Sequence, residues 1–386
     1  MKRLFICSLV FIFFLQVKTS NAQQDSSALQ ISLLTCTPGS ELYSVFGHSA
    51  LRIVDSAAGT DIVYNFGTFD FNDPDFYTKF VRGKLIYFVS QVSYPDFLYE
   101  YQYFKRGVSE QVLNLPQALK KKIQSDLFVN IREENKYYKY DFLYDNCTTR
   151  LRDILLQNNF ETAFNVSPVV GAGQTFRDHL HTYLDRAEIK WTALGIDLLL
   201  GIGADFPMTN MESMFLPDFL YKGIAATTTP NGKLNAYEVY PVQDLQSKPE
   251  KIAFYFQPLF AISIISIILL LATLLPSKNK SFQLLADRIL FLVTGLFGLF
   301  LMFMWFGTDH QSFSKNINLI WALPLNIFFA YHLNSPLSWM KLYFKIWSII
   351  LLILIAVSLL YIGIINISLY PLILFLSFRY WVLSKN

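Results

Sequence analysis

One cysteine and one histidine of this chain lie in settings that suit nucleophilic chemistry. Cys147 occurs in the run Tyr-Asp-Asn-Cys-Thr-Thr-Arg, and His48 occurs in the run Phe-Gly-His-Ser-Ala-Leu-Arg. A thiol attacks as its thiolate, and an imidazole close to it can take the proton. The pair therefore predicts covalent chemistry at sulfur, with His48 as the base. A lone histidine in such a run is otherwise an ordinary buried histidine.

A helix is predicted to begin beside Cys147. The stretch Thr148–Gln157 is helical in pattern, and either Asp145 or Asn146 can be the N-cap. The cysteine then lies in the first turn, where unpaired N–H groups and the helix dipole stabilise a thiolate. The same N–H groups can stabilise an oxyanion.

His48 belongs to one of several predicted strands. These segments are short, rich in β-branched and aromatic residues, and bounded by turn residues. Segments with helical spacing follow them, so the expected fold is mixed α and β. The predicted strands are Ala28–Cys36, His48–Val54, Asp61–Phe66, Leu85–Val92 and Val108–Leu115. The predicted helices are Pro116–Arg132, Thr148–Gln157, Thr175–Ile189, Leu194–Ile202 and Met211–Ala225.

The N-terminus predicts export. Met1–Arg3 is basic, Leu4–Val17 is mostly apolar, and Ser20–Ala22 offers small residues suited to signal peptidase. We therefore expect a signal peptide at residues 1–22 and a mature chain that begins near Gln23. Two cysteines then remain in an oxidising compartment, where they can form a Cys36–Cys147 disulfide or stay apart because one of them does chemistry.

The charge is divided at about residue 250. Residues 23–250 hold 20 Lys+Arg and 27 Asp+Glu, whereas residues 251–386 hold nine and two. The first part is typical of a soluble globular domain. It has no basic patch to suggest nucleic acid, and the chain has no zinc motif, phosphate loop or dinucleotide fingerprint to suggest a cofactor.

Residues 251–386 predict a membrane domain. Apolar stretches long enough to cross the hydrocarbon core recur there, and Pro324 and Pro371 weaken two of them. We expect five spans, with four as the alternative. The spans are Phe254–Leu275, Ile289–Phe306, Asn318–Leu333, Ile346–Ile365 and Ile367–Leu383.

Basic residues in the short loops set the orientation, because Lys and Arg favour the cytoplasmic side. They all face inward only if residues 23–250 face outward, in agreement with a signal peptide. Asp309 and His310 then lie outside, on the same side as Cys147. They form an ordinary hydrated loop, or they hold a substrate headgroup or orient a group in the active site.

Three stretches carry a resemblance to a known family: Phe46–Arg52, Tyr64–Phe71 and Tyr140–Arg150. An early Gly-His followed much later by Asn-Cys resembles the circularly permuted papain-like arrangement of the NlpC/P60 superfamily, including the lecithin:retinol acyltransferase group. More specifically, these stretches look like the N-terminal periplasmic domain of the Lnb-type lipoprotein N-acyltransferases. Segments that fit the same membrane-anchored family are Phe215–Asp218, Thr308–His310 and Asn318–Trp321.

The resemblance implies an α+β papain-like periplasmic domain at residues 23–250. It implies a C-terminal α-helical membrane bundle of about five spans at residues 251–386, in the bacterial inner membrane. With five spans the C-terminus is cytoplasmic.

The resemblance also implies an activity. His48 deprotonates Cys147, whose thiolate takes an acyl chain from a membrane phospholipid and passes it to the N-terminal amine of a diacylglyceryl lipoprotein. The expected partners are thus a phospholipid donor, a lipoprotein acceptor and the membrane. Candidates to orient His48 or bind substrate are Asn65, Arg52, Asp55, Asn146, Arg150, Asp309 and His310. Aromatic residues of the segment 69–80 can line an acyl groove or enter the membrane interface, with core packing as their ordinary use.

Two other functions are compatible with the same sequence features. One is a periplasmic cysteine peptidase or amidase that cuts murein peptides, although the extended membrane region exceeds what such an enzyme needs. The other is a non-enzymatic membrane sensor or assembly protein in which Cys147 is structural. A Cys36–Cys147 disulfide would favour the second alternative.

Overall fold

The computed structural model describes residues 29–157, 164–230, 232–274, 280–333, 337–360 and 363–385. The predicted signal peptide at residues 1–22 lies outside the described residues. Strands occur between residues 29 and 242, and the described chain from residue 258 onward is mainly helical.

Short and medium strands make up the β structure of the N-terminal part. They are β1 (Leu29–Cys36), β2 (His48–Asp55), β3 (Thr60–Thr68), β4 (Ile86–Ser93), β5 (Val108–Leu113), β6 (Tyr137–Lys139), β7 (Asn165–Val166), β8 (Thr227–Thr229), β9 (Gly232–Lys233) and β10 (Asn235–Val242). Within the described ranges, seven of them form an antiparallel sheet in the order β10-β5-β1-β2-β3-β4-β6, and β7, β8 and β9 form a second sheet. The five strands predicted from the sequence, now β1 to β5, are confirmed.

Helices flank the sheet. They are α1 (Phe76–Val81), α2 (Tyr94–Tyr103), α3 (Gln117–Asn130), α4 (Cys147–Arg152), α5 (Phe176–Arg186), α6 (Lys190–Leu199), α7 (Asn210–Ser213) and α8 (Pro217–Ala226). A π-helical turn, Asp153–Gln157, continues α4.

Four of the predicted helices are confirmed as α3, α4, α5 and α6, and the fifth is wrong as a single element. The segment Met211–Ala225 forms two helices, because the chain turns after Ser213 and Pro217 takes the first position of α8. The helices α1 and α2 are not among the predicted ones.

Both faces of the sheet are covered, because apolar side chains alternate along its central strands. Leu33 and Leu51 belong to a core with Leu151 of α4. Leu34, from the opposite face of β1, belongs to a separate core with Phe97 of α2. The sheet is therefore a rigid layer between two helical layers, and α4 lies directly on it.

The C-terminal part contains α9 (Pro258–Leu274), α10 (Lys280–Phe306), α11 (Leu325–His332), α12 (Ser338–Leu360) and α13 (Tyr370–Lys385). In the described residues, three stretches are long and apolar enough to cross a membrane: Ser281–Phe306, Ser338–Leu360 and Ile367–Lys385. The apolar helix α9 is shorter, with 17 residues.

The predicted span Asn318–Leu333 is not one continuous helix. A 3-10 turn, Ile317–Ile320, precedes α11, which has eight residues and rises only about 12 Å. Pro324 stands at the N-cap of α11 and has no N–H group to continue a helix from the preceding turn.

Asparagine side chains join the helical part to α6. The Asn316 amide donates to the Leu198 carbonyl at 2.8 Å, and the Asn318 amide donates to the Asp197 carbonyl at 3.1 Å. The Asn366 amide donates to the Asp197 carboxylate at 2.6 Å. These buried polar contacts fix the position of the N-terminal domain on the helices.

Candidate active site

Cys147 occupies the first position of α4, as predicted, and Asn146 is the N-cap. The Asn146 side-chain oxygen accepts from the N–H groups of Thr148 at 2.8 Å and Thr149 at 2.9 Å. The Thr149 hydroxyl accepts from the Asn146 N–H at 2.8 Å, which completes a capping box. The Cys147 N–H is not used by this cap, so it is the first-turn donor left for an oxyanion.

Asn146 positions the cysteine instead of touching a substrate. Its amide donates to the carbonyl groups of Phe142 at 2.7 Å and Phe215 at 3.0 Å. The residue is 3 % exposed, so all its polar atoms serve the local fold.

His48 begins β2 and lies beside Cys147. Gly47 before it has a φ of 80°, and a Cβ there would come within 2.7 Å of the Cys36 carbonyl oxygen. Only glycine tolerates both the conformation and the close approach. The His48 imidazole and the Cys147 thiol are close enough for each to shift the pKa of the other.

Asn65 of β3 holds the other side of the His48 ring. His48 Nε2 lies 3.2 Å from Asn65 Oδ1. Since an amide oxygen only accepts, this contact places a proton on Nε2. Of the candidate orienting residues, Asn65 is the one that contacts His48.

The pair favours a charged state. Burial raises the pKa of the Cys147 thiol, but the charge of His48 and hydrogen bonds from His48, the Ser49 backbone and Thr148 outweigh it, so the pKa lies below its usual range. Burial lowers the pKa of His48, but Cys147 and the hydrogen bond that His48 donates to Asn65 outweigh it and raise the pKa. Both shifts favour the thiolate and the imidazolium over the neutral forms of the two groups.

Three residues around the thiol were not predicted as site residues. Gly67, with a φ of 86°, lies so close that a Cβ there would be 3.5 Å from Cys147 Cβ and 3.4 Å from the Tyr140 ring. Burial is the larger cause of the raised pKa of the Tyr138 phenol, and the charge of the nearby Cys147 raises it further. Gly67 and Tyr140 fall within stretches that carried the family resemblance, but no spacing pattern identified Tyr138.

Two other candidates, Arg52 and Asp55, lie elsewhere. Arg52 forms ion pairs with Asp61 at 2.7 Å and Glu110 at 2.9 Å. The carboxylate of Asp55 accepts from Gln124 and from the turn that follows it. Their partners are set by neighbouring strands and by α3, so neither orients His48.

Arg150 has two partners beside the site. It forms an ion pair with Asp145 at 2.6 Å, and its guanidinium lies 3.6 Å from the centre of the Tyr138 ring. Arg150 thus braces Tyr138 beside the thiol.

Asp309 and His310 dock the two parts of the chain together. The Asp309 carboxylate pairs with Lys139 at 2.8 Å, and the Asp309 N–H donates to the Arg82 carbonyl at 2.9 Å. His310 Nε2 lies 3.1 Å from the Phe80 carbonyl oxygen. In the part of the chain that the structure describes, these contacts are with the segment after β3 and with β6, not with His48.

Cys36 and Cys147 are both free thiols. Cys36 is fully buried, and burial raises the pKa of its thiol to about 12. The structural disulfide considered as an alternative is therefore absent between these two described residues.

The fold and the site are those of a membrane protein whose N-terminal domain, of mixed α and β structure, carries a thiol beside an imidazole. Residues 16–181 match the Lnb N-terminal periplasmic domain, and residues 249–385 match the Lnb transmembrane domain. The chain belongs to the Lnb family, as its motifs predicted, and its N-terminal domain is periplasmic on an inner-membrane anchor. No curated protein and no solved structure gives a significant match to it.

Proposed function

We propose that this protein is a membrane-anchored cysteine acyltransferase. It takes an acyl chain from a membrane phospholipid through a Cys147 thioester and passes it to the N-terminal amine of a diacylglyceryl lipoprotein. The observation that carries the proposal is the arrangement at the start of α4, where His48 lies beside Cys147 and is held by Asn65, in a membrane protein of the Lnb family. A thioester can be formed from an oxygen ester and is reactive enough to acylate an amine.

In the first half-reaction, the Cys147 thiolate attacks the carbonyl carbon of a phospholipid acyl ester. The carbon–sulfur bond forms, the carbon–oxygen bond of the ester breaks, and the His48 imidazolium gives its proton to the departing alkoxide. The Cys147 N–H, at the positive end of α4, faces the developing oxyanion. Lysophospholipid leaves.

In the second half-reaction, the neutral amine of the lipoprotein attacks the thioester carbon. His48, now neutral, takes the amine proton, the carbon–nitrogen bond forms and the carbon–sulfur bond breaks. Cys147 returns as thiolate and His48 as imidazolium. Asn65 keeps the ring in the tautomer that both steps need.

A papain-like arrangement is part of the proposal. Its support is the position of the nucleophile at a helix start packed on an antiparallel sheet, with the base and its orienting amide on the adjacent strands β2 and β3.

The proposed topology has five passes. The segment from Asn318 to His332 descends along α10, because Asn318 contacts α6 of the periplasmic domain while Asn326 bonds Thr294 in α10. The third pass is then a 3-10 turn, a loop and α11 instead of one helix. With residues 1–22 removed as a signal peptide and residues 23–250 periplasmic, the C-terminus is cytoplasmic.

The testing experiment is intact mass spectrometry of the purified full-length protein after incubation with phospholipid. We expect the parent and Cys36→Ser to gain the mass of one acyl chain, which hydroxylamine removes, and Cys147→Ser to gain none that hydroxylamine removes. Addition of a diacylated lipopeptide should then discharge the parent and yield a triacylated product. A parent that stays unmodified, or a Cys147→Ser variant that still acylates the lipopeptide, contradicts the proposal.

A further inference from the structure

An exposed aromatic segment lies between β3 and β4. It comprises residues 69–80, including α1, and is called the aromatic segment below. Phe71 is 62 % exposed, Tyr77 is 80 % exposed and Phe80 is 51 % exposed. These three side chains do not pack in the core, although core packing is the usual role of aromatic residues. Clustered exposed aromatic side chains on a periplasmic domain indicate an apolar partner.

The aromatic segment starts a row of ring contacts that ends at the thiol. Phe80 stacks on Phe76, and Phe76 contacts Phe69 with ring centres 5.8 Å apart. Phe69 contacts Tyr87 at 5.3 Å, and Tyr87 stacks on Tyr140 at 4.3 Å.

The inner end of this row lies at the nucleophile. Tyr140 and Cys147 border the same Gly67, whose missing side chain leaves space for both. An apolar chain that follows the rings therefore arrives beside the sulfur.

The outer end of the row lies at the membrane part of the chain. Phe80 accepts from His310, and Arg82 accepts from Asp309, through their backbone carbonyl groups. Asp309 and His310 follow directly after α10, one of the apolar helices long enough to cross the membrane. The aromatic segment is thus continuous with the membrane anchor.

Charges at this end suit a phospholipid at the interface. The acidic Asp73 is paired with Lys79 at 2.7 Å. Arg82 and Lys84 follow the segment, and their positive charges act on Asp309. Basic side chains at a membrane surface attract lipid phosphate groups.

We propose that the aromatic segment, continued by Tyr87 and Tyr140, binds one acyl chain of a bilayer phospholipid and brings its ester to Cys147. The delivery of the acyl ester to Cys147 for reaction rests on the proposed function. The binding of the chain rests only on the ring contacts, their exposure and their position at the membrane.

Photocrosslinking tests the binding without catalysis. Full-length Cys147→Ser protein is placed in nanodiscs that contain phosphatidylethanolamine with a diazirine in one acyl chain, then irradiated and digested. We expect peptides from residues 69–87 to carry the lipid mass. Label confined to the membrane helices overturns the inference.

A comparison of two phospholipid donors tests the role of the acyl chain. Phe71→Ser is compared with Phe104→Ser, which removes another aromatic ring, 55 % exposed, just after α2. Rates of Cys147 thioester formation are measured with a long-chain phospholipid and with a water-soluble short-chain one. We expect the long-to-short rate ratio to fall about tenfold in Phe71→Ser, as for the loss of one partly buried phenyl group, and to keep the parent value in Phe104→Ser.

The outcomes separate this inference from the proposed function. Thioester formation with an unchanged rate ratio in Phe71→Ser overturns the inference and leaves the acyltransferase in place. Lipid label in residues 69–87 without a thioester in the parent supports the lipid site and removes the proposed chemistry.

Discussion

Cys36 and Cys147 belong to one domain, and their surroundings differ in every respect that controls a thiol. Cys36 is enclosed in the core beneath α2 with Tyr101, and burial raises its pKa to about 12. Cys147 is partly exposed at a helix start, and His48 outweighs burial to lower its pKa. His48 even lies opposite Cys36 in the register of β1 and β2, yet its ring engages Cys147.

The difference teaches that backbone proximity to the histidine does not activate a thiol. The side-chain direction of the histidine and the hydrogen bonds around the thiol do so. Both cysteines would be equal candidates by residue type and compartment alone.

The largest expected effect comes from removing each thiol in turn. Cys147→Ala should lower lipopeptide acylation by roughly 10³-fold or more, because the covalent route is lost. Cys36→Ala should keep the rate within about threefold of the parent. Acylation of a fluorescent diacyl lipopeptide in detergent measures both. Equal losses in the two variants would remove the distinction between the thiols.

Alkylation by iodoacetamide at varied pH compares the two thiolates directly. The thiolate fraction rises as pH passes upward through the pKa, so a lowered pKa makes Cys147 reactive at lower pH than an ordinary thiol. In His48→Gln, only the Ser49 backbone and Thr148 still oppose burial, and the midpoint for Cys147 should move to higher pH. Cys36 should stay unmodified in the folded protein throughout the neutral range. Peptide mapping gives each rate, and an unmoved Cys147 midpoint in His48→Gln would show that the imidazole does not set the pKa.

Loss of the orienting amide should have an intermediate effect. Asn65→Ala removes one hydrogen bond from His48 and should lower kcat about tenfold with little change in KM. Because this bond helps to raise the pKa of His48, the imidazole should titrate at lower pH in the variant. NMR of the labelled histidine ring reports that titration. A reduced kcat with an unchanged His48 titration would mean that Asn65 acts only on the fold.

The smallest effect on activity belongs to the core thiol itself. Cys36→Ala leaves a small cavity in the core beneath α2, so it should cost about 1–2 kcal/mol of stability. For a domain of this size that is a fall of roughly 2–8 °C in the melting temperature. Thermal unfolding of the full-length protein measures it, and an unchanged melting temperature would show that the core closes around the smaller side chain.

Several parts of the fold and site are local properties and could be predicted. Alternating apolar residues define β1 to β5, and the Asp-Asn pair before Cys147 predicts a helix start there. The family resemblance rests on the same local runs. Asn65 was one of several candidates, because only the register of β2 with β3 decides which side chain reaches His48.

Other parts depend on contacts between distant segments. Arg52 forms an ion pair with Glu110 of β5, and Asp309 forms one with Lys139 of β6, 170 residues away in the chain. Neither contact has a signal in the spacing of the chain. Tyr138 reaches the thiol through the three-residue strand β6, which is too short to show an alternating pattern.

The cap at Asn146 has a consequence for the order in which this protein matures. Its amide is held by Phe142 and also by Phe215, which leaves the export channel long after Cys147 does. Until Phe215 is in place, one of the two acceptors of the Asn146 amide is missing, and the residue that fixes the start of α4 is only partly held. The position of Cys147 on the sheet therefore depends on a part of the chain that is made well after the cysteine itself.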